Sequence, residues 1–509
     1  MLVNNNFSSA PPAYQRRSTV VLAVVVSITI VMVCVPGRWW AAAGLSLIAV
    51  AFSFSLLSVV LAGRTQVVIL GWVLMFPLGY YYLSFPREHS LVTLDRVFLG
   101  LLFITACFAS HLASRKIPEA LRRSAVYWAV FLVFAAVAIP RARTPMNSLR
   151  VWLEALLFPA LLAWYIVRHF EVRKHLAAMH SATCVMAIYV AALGLGEVIL
   201  QQDLLPIPTG GLIVAGDYGR DPRDAATQIL IRPNGPFSTV NSFAIVGIVS
   251  LCFLLFLKHT LGQRMPAWQR VLHRLGVAAA LAETVMPLFK SVLISLLAIL
   301  LVDAYYEAGR RRFRRLGVLF SFGFVFLSLR MLLPVVFEER ADPLTFYARI
   351  AQEKQTLALF MEHPMNGVGL NNFYEAAQSH ESAAYKDADA LDTPHNNFGA
   401  VLAETGLTGF FPFVASQILI VVAFWRIRRA DSSESNLVWK TFLFLFMAFS
   451  INGLSLTIIY FGDANLWYMF VIGVIYKFAI TGRDHLATGE LTFPSRPWLN
   501  PGITERDKE

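Results

Sequence analysis

Charge is what this sequence lacks most. Asp, Glu, Lys and Arg make up 15% of its 509 residues, against about 25% in an ordinary soluble domain. With 57% hydrophobic side chains and a mean hydropathy of +0.59, a water-soluble fold of this length has nowhere to hide its apolar surface. A cytosolic enzyme is therefore excluded, and intrinsic disorder falls with it. Cysteine is scarce too. The four residues Cys34, Cys107, Cys184 and Cys252 lie inside apolar blocks and read as small buried hydrophobes. A disulfide-framed secreted module is excluded on that ground. The sequence also lacks a P-loop, a histidine pair at zinc spacing, an internal repeat and a low-complexity tract.

What is present is a succession of apolar runs, roughly 17 to 22 residues each, long enough for helices to cross a hydrocarbon core of about 30 Å. The alternating ten-residue blocks of a membrane barrel are missing. The expectation is an all-α polytopic membrane protein of about 12–14 transmembrane helices, with candidate spans at 19–35, 41–62, 66–84, 97–113, 124–139, 151–167, 181–201, 241–257, 275–288, 291–306, 316–336, 398–425, 439–459 and 464–480. The pair around Lys290 also reads as one long broken helix. The run after Arg16-Arg17 ends in Pro36-Gly37-Arg38 with no small-residue cleavage site, so it is taken as a retained helix.

The net charge of +11 sits mainly in short connections. Arg115, Lys116, Arg122 and Arg123 share one, Arg310–Arg315 another, and Arg426, Arg428 and Arg429 a third. Short loops crowded with Lys and Arg stay in the cytoplasm, so these clusters set topology and do not call for nucleic acid. Both termini are then expected inside, with tails at 1–18 and 481–509. Helices fill 19–336 with a periplasmic loop near 202–240, a large periplasmic loop spans 337–397, and the last three helices occupy 398–480. Within the large loop, Asp342 to Met361 looks helical, with Phe346, Ile350, Leu357 and Phe360 roughly on one face.

Ionisable groups on the outer side are the informative ones. Among the outside histidines His89, His363, His380 and His395, the last stands out. It precedes Asn396 at the start of an apolar helix that carries Glu404, Gly406 and Gly409, glycines that allow close helix contact. Either it is an interfacial residue at a helix cap, or it is a general base for a sugar hydroxyl. Glu404 supports His395 or a nearby arginine, or makes a helix–helix polar contact. Outside arginines oppose the topology rule, and a guanidinium fork holds phosphate oxygens bidentately. Arg232 and Arg349 are the two favoured candidates for a pyrophosphate. Arg141, Arg143 and Arg150 crowd one short loop, and Lys290 interrupts an apolar stretch. Asp387-Ala388-Asp389 has the look of a metal-binding Asp-x-Asp but lacks a nucleotide fold beside it, so no catalytic metal and no cofactor are expected.

As a set, these residues resemble the O-antigen ligase and polymerase superfamily of bacterial envelope glycan assembly. His395-Asn396, nine residues, then Gly406-Leu407-Thr408-Gly409 matches the ligase pattern His-[Asn/Ser/Gln]-x9-Gly-x-x-Gly. Arg349, then His363-Pro364, Gly367-Val368-Gly369-Leu370 and Asn372-Phe373, is similar to another family run, within a motif region of 345–409. Arg232 to Asn241 is similar to a third. The family often has Ser-Arg near Lys290-Ser291, and lysine loses the fork. The resemblance implies a GT-C-type, inverting, metal-independent glycosyltransferase in the bacterial inner membrane. Its donor would be a glycan on undecaprenyl pyrophosphate and its acceptor a hydroxyl of lipid A–core or similar. His395 would be the catalytic base and Arg232, Arg349 and Lys290 the pyrophosphate ligands. Asn396, Glu404, Gly406 and Gly409 would support them. A polysaccharide polymerase with the same donor is the near alternative, and a transporter of lipid-linked glycans the remote one.

Overall fold

The computed structural model describes residues 65–79, 93, 95–100, 102, 118–201, 204, 233–237, 239–262, 265–306, 317, 343–379, 394–429 and 432–488. Candidate spans 19–35, 41–62 and 316–336 lie outside or almost wholly outside these, as does Arg232. The described regular structure is helical: α1 (Thr65–Gly79), α2 (Glu119–Ala138), α3 (Pro145–Val151), α4 (Phe158–His169), α5 (Val172–Leu200), α6 (Val240–Leu261), α7 (Ala267–Val285), α8 (Lys290–Tyr306), α9 (Pro343–Glu362), α10 (Phe373–Ser379), α11 (Asn397–Arg428), α12 (Ser433–Gly453) and α13 (Gly462–Thr488). A π-helical turn, Trp152–Leu157, joins α3 to α4. Among the described residues, six stretches are long and apolar enough to cross a membrane: Glu119–Arg141, Pro145–His169, Val172–Leu200, Val240–Leu261, Asn397–Arg428 and Gly462–Thr481. The protein is an all-α polytopic membrane protein.

α6 is the axis of the bundle. Most of its residues are apolar, and 89% of its most apolar 18-residue stretch is buried, against α5, α7, α12 and α13. Aromatic rings fill the space around it. Trp72 of α1, Phe253 of α6, and Trp467 and Phe470 of α13 are each no more than 2% exposed. Trp467 donates to Ser250 Oγ at 2.9 Å, so the one polar atom of the ring is satisfied.

Polar contacts mark the two ends of the bundle. At one, Arg173 of α5 holds Glu434 of α12 at 2.7 Å, and Lys477 of α13 donates to Val167 O at 2.7 Å. At the other, Ser242 of α6 donates to Asp463 of α13 at 2.7 Å, and Glu197 of α5 accepts from Asn234 and Gly235 N–H at 3.0 and 2.8 Å. The first, basic end also carries the Arg426–Arg429 cluster. The second end holds the candidate site.

Some boundaries differ from the hydropathy reading, and the pair of spans around Lys290 agrees with it. α12 ends at Gly453, not near 459, because Ile458–Tyr460 form a buried 3-10 turn whose apolar side chains extend the run without extending the helix. Around Lys290 there are two helices, broken at 286–289 where Pro287 and a positive φ at Leu288 interrupt the ladder; Lys290 opens the second. The first of them, α7, begins at Ala267, since its start is amphipathic, with Gln269 and His273 buried and Trp268 exposed.

Candidate functional site

α11 is a broken helix. At Gly406 the backbone takes φ 63° and ψ −167°, a conformation essentially open to glycine alone. The backbone groups beside the break are bonded to the segment after α9. Val368 N–H donates to Ala403 O and Gly369 N–H to Glu404 O, both at 3.0 Å. Leu407 N–H donates to Pro364 O at 2.8 Å and Thr408 N–H to Met365 O at 3.2 Å. Each such group left bare at membrane depth costs several kcal/mol, so this inserted segment is what allows the break. The backbones nearly touch. A Cβ at Gly367 would stand 2.2 Å from Glu404 C, and one at Gly406 would stand 2.4 Å from Met365 C. Gly406 thus serves a loop–helix junction and not a helix–helix contact, and the expected continuous span 398–425 is two pieces.

Glu404 ties the junction down from inside. It is 2% exposed. Its carboxylate accepts from Asn371 N–H at 2.6 Å and from the Tyr460 hydroxyl. Burial, and then the Glu404 charge, push the Tyr460 phenol well above its usual range, so it stays a donor. Of the alternatives open for Glu404, the polar contact is the one observed, made to a loop and a turn. Asn397 continues the same layer, accepting from Ile459 N–H at 2.9 Å.

The loop after α2 leans on the same segment. Arg141 donates to Asn366 O at 3.2 Å, Arg143 N–H to the Asn372 side chain at 2.9 Å, and Ser148 to Leu370 O at 2.7 Å. The side chains of Arg141 and Arg143 are exposed there. Arg150 is already engaged, with Arg96, on the buried Glu154 carboxylate.

His395 stands at the mouth of α11, partly exposed, with φ +43°. Such a φ is uncommon outside glycine, and backbone strain of this kind clusters at functional sites. Asn396 caps α11, accepting from Phe398 N–H at 2.9 Å, and reaches Glu353 of α9 at 3.4 Å. Arg349 lies on α9 one turn before Glu353, so the helix carrying it is joined to the residue beside His395. Beside this bond a shallow cavity of about 370 Å³ is lined by Ile350, Glu353, Lys354 and Leu357. The helix expected at 342–361 is present, but its inward face is Ala351, Gln352, Thr356 and Leu359, while Ile350 and Leu357 are exposed. Lys290 is exposed at the start of α8; further along that helix Ser295 accepts from Asn452 at 3.0 Å, and the next residue, Gly453, packs on Asn397. Gly409 leaves room for Thr405, whose Oγ1 would lie 2.2 Å from a Cβ there.

Glu353, Asn371, Asn397 and Tyr460 were not anticipated from the sequence. Only the Asn371-Asn372 pair after the glycines hinted at a polar turn. No curated protein matches the chain. Residues 237–414, which hold α6 to α9, the inserted segment and the break in α11, match the family model described as O-antigen ligase, and this part of the chain is similar to that superfamily.

Proposed function

We propose that the protein transfers a glycan from undecaprenyl pyrophosphate to an acceptor hydroxyl, of lipid A–core or a similar glycan, at the periplasmic face of the bacterial inner membrane. The acceptor oxygen attacks the anomeric carbon, the bond from that carbon to the pyrophosphate oxygen breaks, and configuration inverts. His395 takes the hydroxyl proton. Base catalysis of this kind contributes typically about 10² to 10⁴-fold. Arg232, Arg349 and Lys290 hold the leaving pyrophosphate, in place of a divalent ion. A cation at the first position of α8 opposes the helix dipole, whereas an anion there is favoured; a bound pyrophosphate would reconcile the two. Asn396, Glu404, Gly406 and Gly409 keep the histidine and the inserted segment in register.

The observation that carries this reading is the Asn396–Glu353 contact, which joins the strained His395 to the helix of Arg349 beside an open cavity. The test is reconstitution in nanodiscs with a lipid-linked repeat unit, offered either lipid A–core or a second repeat as acceptor. Transfer to lipid A–core is expected. Transfer only to the second repeat would make the protein a polymerase by the same chemistry, and no transfer to either would refute the reading. Sidedness is tested by labelling Ser379→Cys from outside intact cells. Protection until permeabilisation would overturn the periplasmic assignment.

A further inference from the structure

At the basic end of the bundle, away from the candidate site, α5 and α7 cross closely. His180 and Cys184 are one turn apart on α5 and therefore share a face. Across from them, on α7, is His273. Gly276 brings the helices together: a Cβ there would lie 2.9 Å from both Cβ and Sγ of Cys184. His180 Nε2 and His273 Nδ1 are 3.0 Å apart, and Cys184 Sγ is 3.7 Å from His180 Nε2. All three donor atoms fall within 4.8 Å of one another, and the residues are 0%, 0% and 5% exposed. The ligands are scattered over 93 positions between His180 and His273, so linear spacing conceals them.

We propose that His180, Cys184 and His273 form a buried site for one soft d10 metal ion, which clips α5 to α7. Bonds of about 2.0–2.1 Å to nitrogen and 2.3 Å to sulfur hold nitrogen pairs roughly 3.3–3.6 Å apart and nitrogen–sulfur pairs roughly 3.5–3.8 Å apart. The sulfur is already at that spacing from His180 and stands within 4.8 Å of the His273 nitrogen, and the imidazoles need to open by a few tenths of an ångström. Hydrogen bonding between the imidazoles uses one nitrogen of each ring and leaves His180 Nδ1 without a partner. One thiolate with two imidazoles suits Cu(I) or Zn(II), not Mg²⁺ or Ca²⁺, which take oxygen ligands. Binding displaces the thiol proton, so M^n+ plus Cys–SH gives the metal thiolate and H⁺. With Cu(I) the site is neutral; with Zn(II) it keeps one positive charge. A buried net charge is costly. Cu(I) is therefore the favoured occupant.

The test uses full-length protein in nanodiscs, with any affinity tag removed, titrated anaerobically with Cu(I) and separately with Zn(II) against chromogenic chelators. One Cu(I) per chain is expected, with a rise in melting temperature on loading. Cys184→Ser should lose both, and Cys252→Ser, the change at the other described buried cysteine, should keep both. X-ray absorption should show one sulfur and two nitrogen neighbours. Tighter binding of Zn(II) than of Cu(I) would overturn the choice of ion. If neither ion binds, or Cys184→Ser binds as well as wild type, the cluster is a histidine–histidine hydrogen bond and the site is refuted. Glycan transfer enters none of these readouts, so they stand apart from the proposed function.

Discussion

α6 and α11 are both apolar helices that start from a polar cap, and they do opposite things. α6 has 22 residues and α11 has 32; the most apolar 18-residue stretch is 89% buried in the first and 33% buried in the second. Thr239 caps the first by accepting from Ser242 N–H, and Asn396 caps the second. α6 is enclosed by helices, so its backbone has no partner but itself and stays regular. α11 has a loop against its first three turns, and that loop supplies donors and acceptors that let the helix stop and restart. A hydrophobic run reports how much surface is to be buried; continuity depends on what lies beside it.

The largest expected effect is at His395. His395→Ala should lower single-turnover transfer by about 10² to 10⁴-fold while the melting temperature and donor binding hold. Turnover near wild type would leave the histidine as a helix cap and nothing more. Phe253, fully buried in α6, serves as the contrast. Phe253→Ala should cost about 3–5 kcal/mol of stability and leave the KM of the surviving enzyme unchanged.

Gly406→Ala tests the break directly. In a continuous helix, alanine for glycine is favourable by about 0.8–1 kcal/mol. Here the Cβ meets the Met365 backbone at a positive φ, so the sign should reverse, to a loss of roughly 3 kcal/mol or more. Thermal unfolding in detergent reads this, and a stabilised variant would mean that α11 is continuous.

Glu404→Leu leaves Asn371 N–H and the Tyr460 hydroxyl buried without an acceptor, at about 1–3 kcal/mol for each group. Glu404→Gln should recover much of that in a melting curve, since an amide oxygen still accepts. An equal loss in both variants would mean that the charge matters and the acceptor does not. The smallest effect is expected at the exposed Arg141. Arg141→Ala removes its bond to Asn366 O and should cost about 0.5–1.5 kcal/mol or less, read in the same melting curve.

Membrane character and helical class were fixed by composition: too little charge and too much apolar surface leave backbone groups no option in lipid but to bond within helices. The positions of most helices were readable for the same reason, and His395, Asn396 and the glycines by their pattern. Other features needed the tertiary structure. The break at Gly406 depends on acceptors and donors brought by a segment some forty positions earlier. Ile458–Tyr460 read as helix because hydropathy records burial and not hydrogen bonding. Arg150 looked as available as Arg141 until Glu154 was found to hold it. Sequence counts each residue's cost of leaving water, a local property; which partner meets that cost is decided only when distant segments pack.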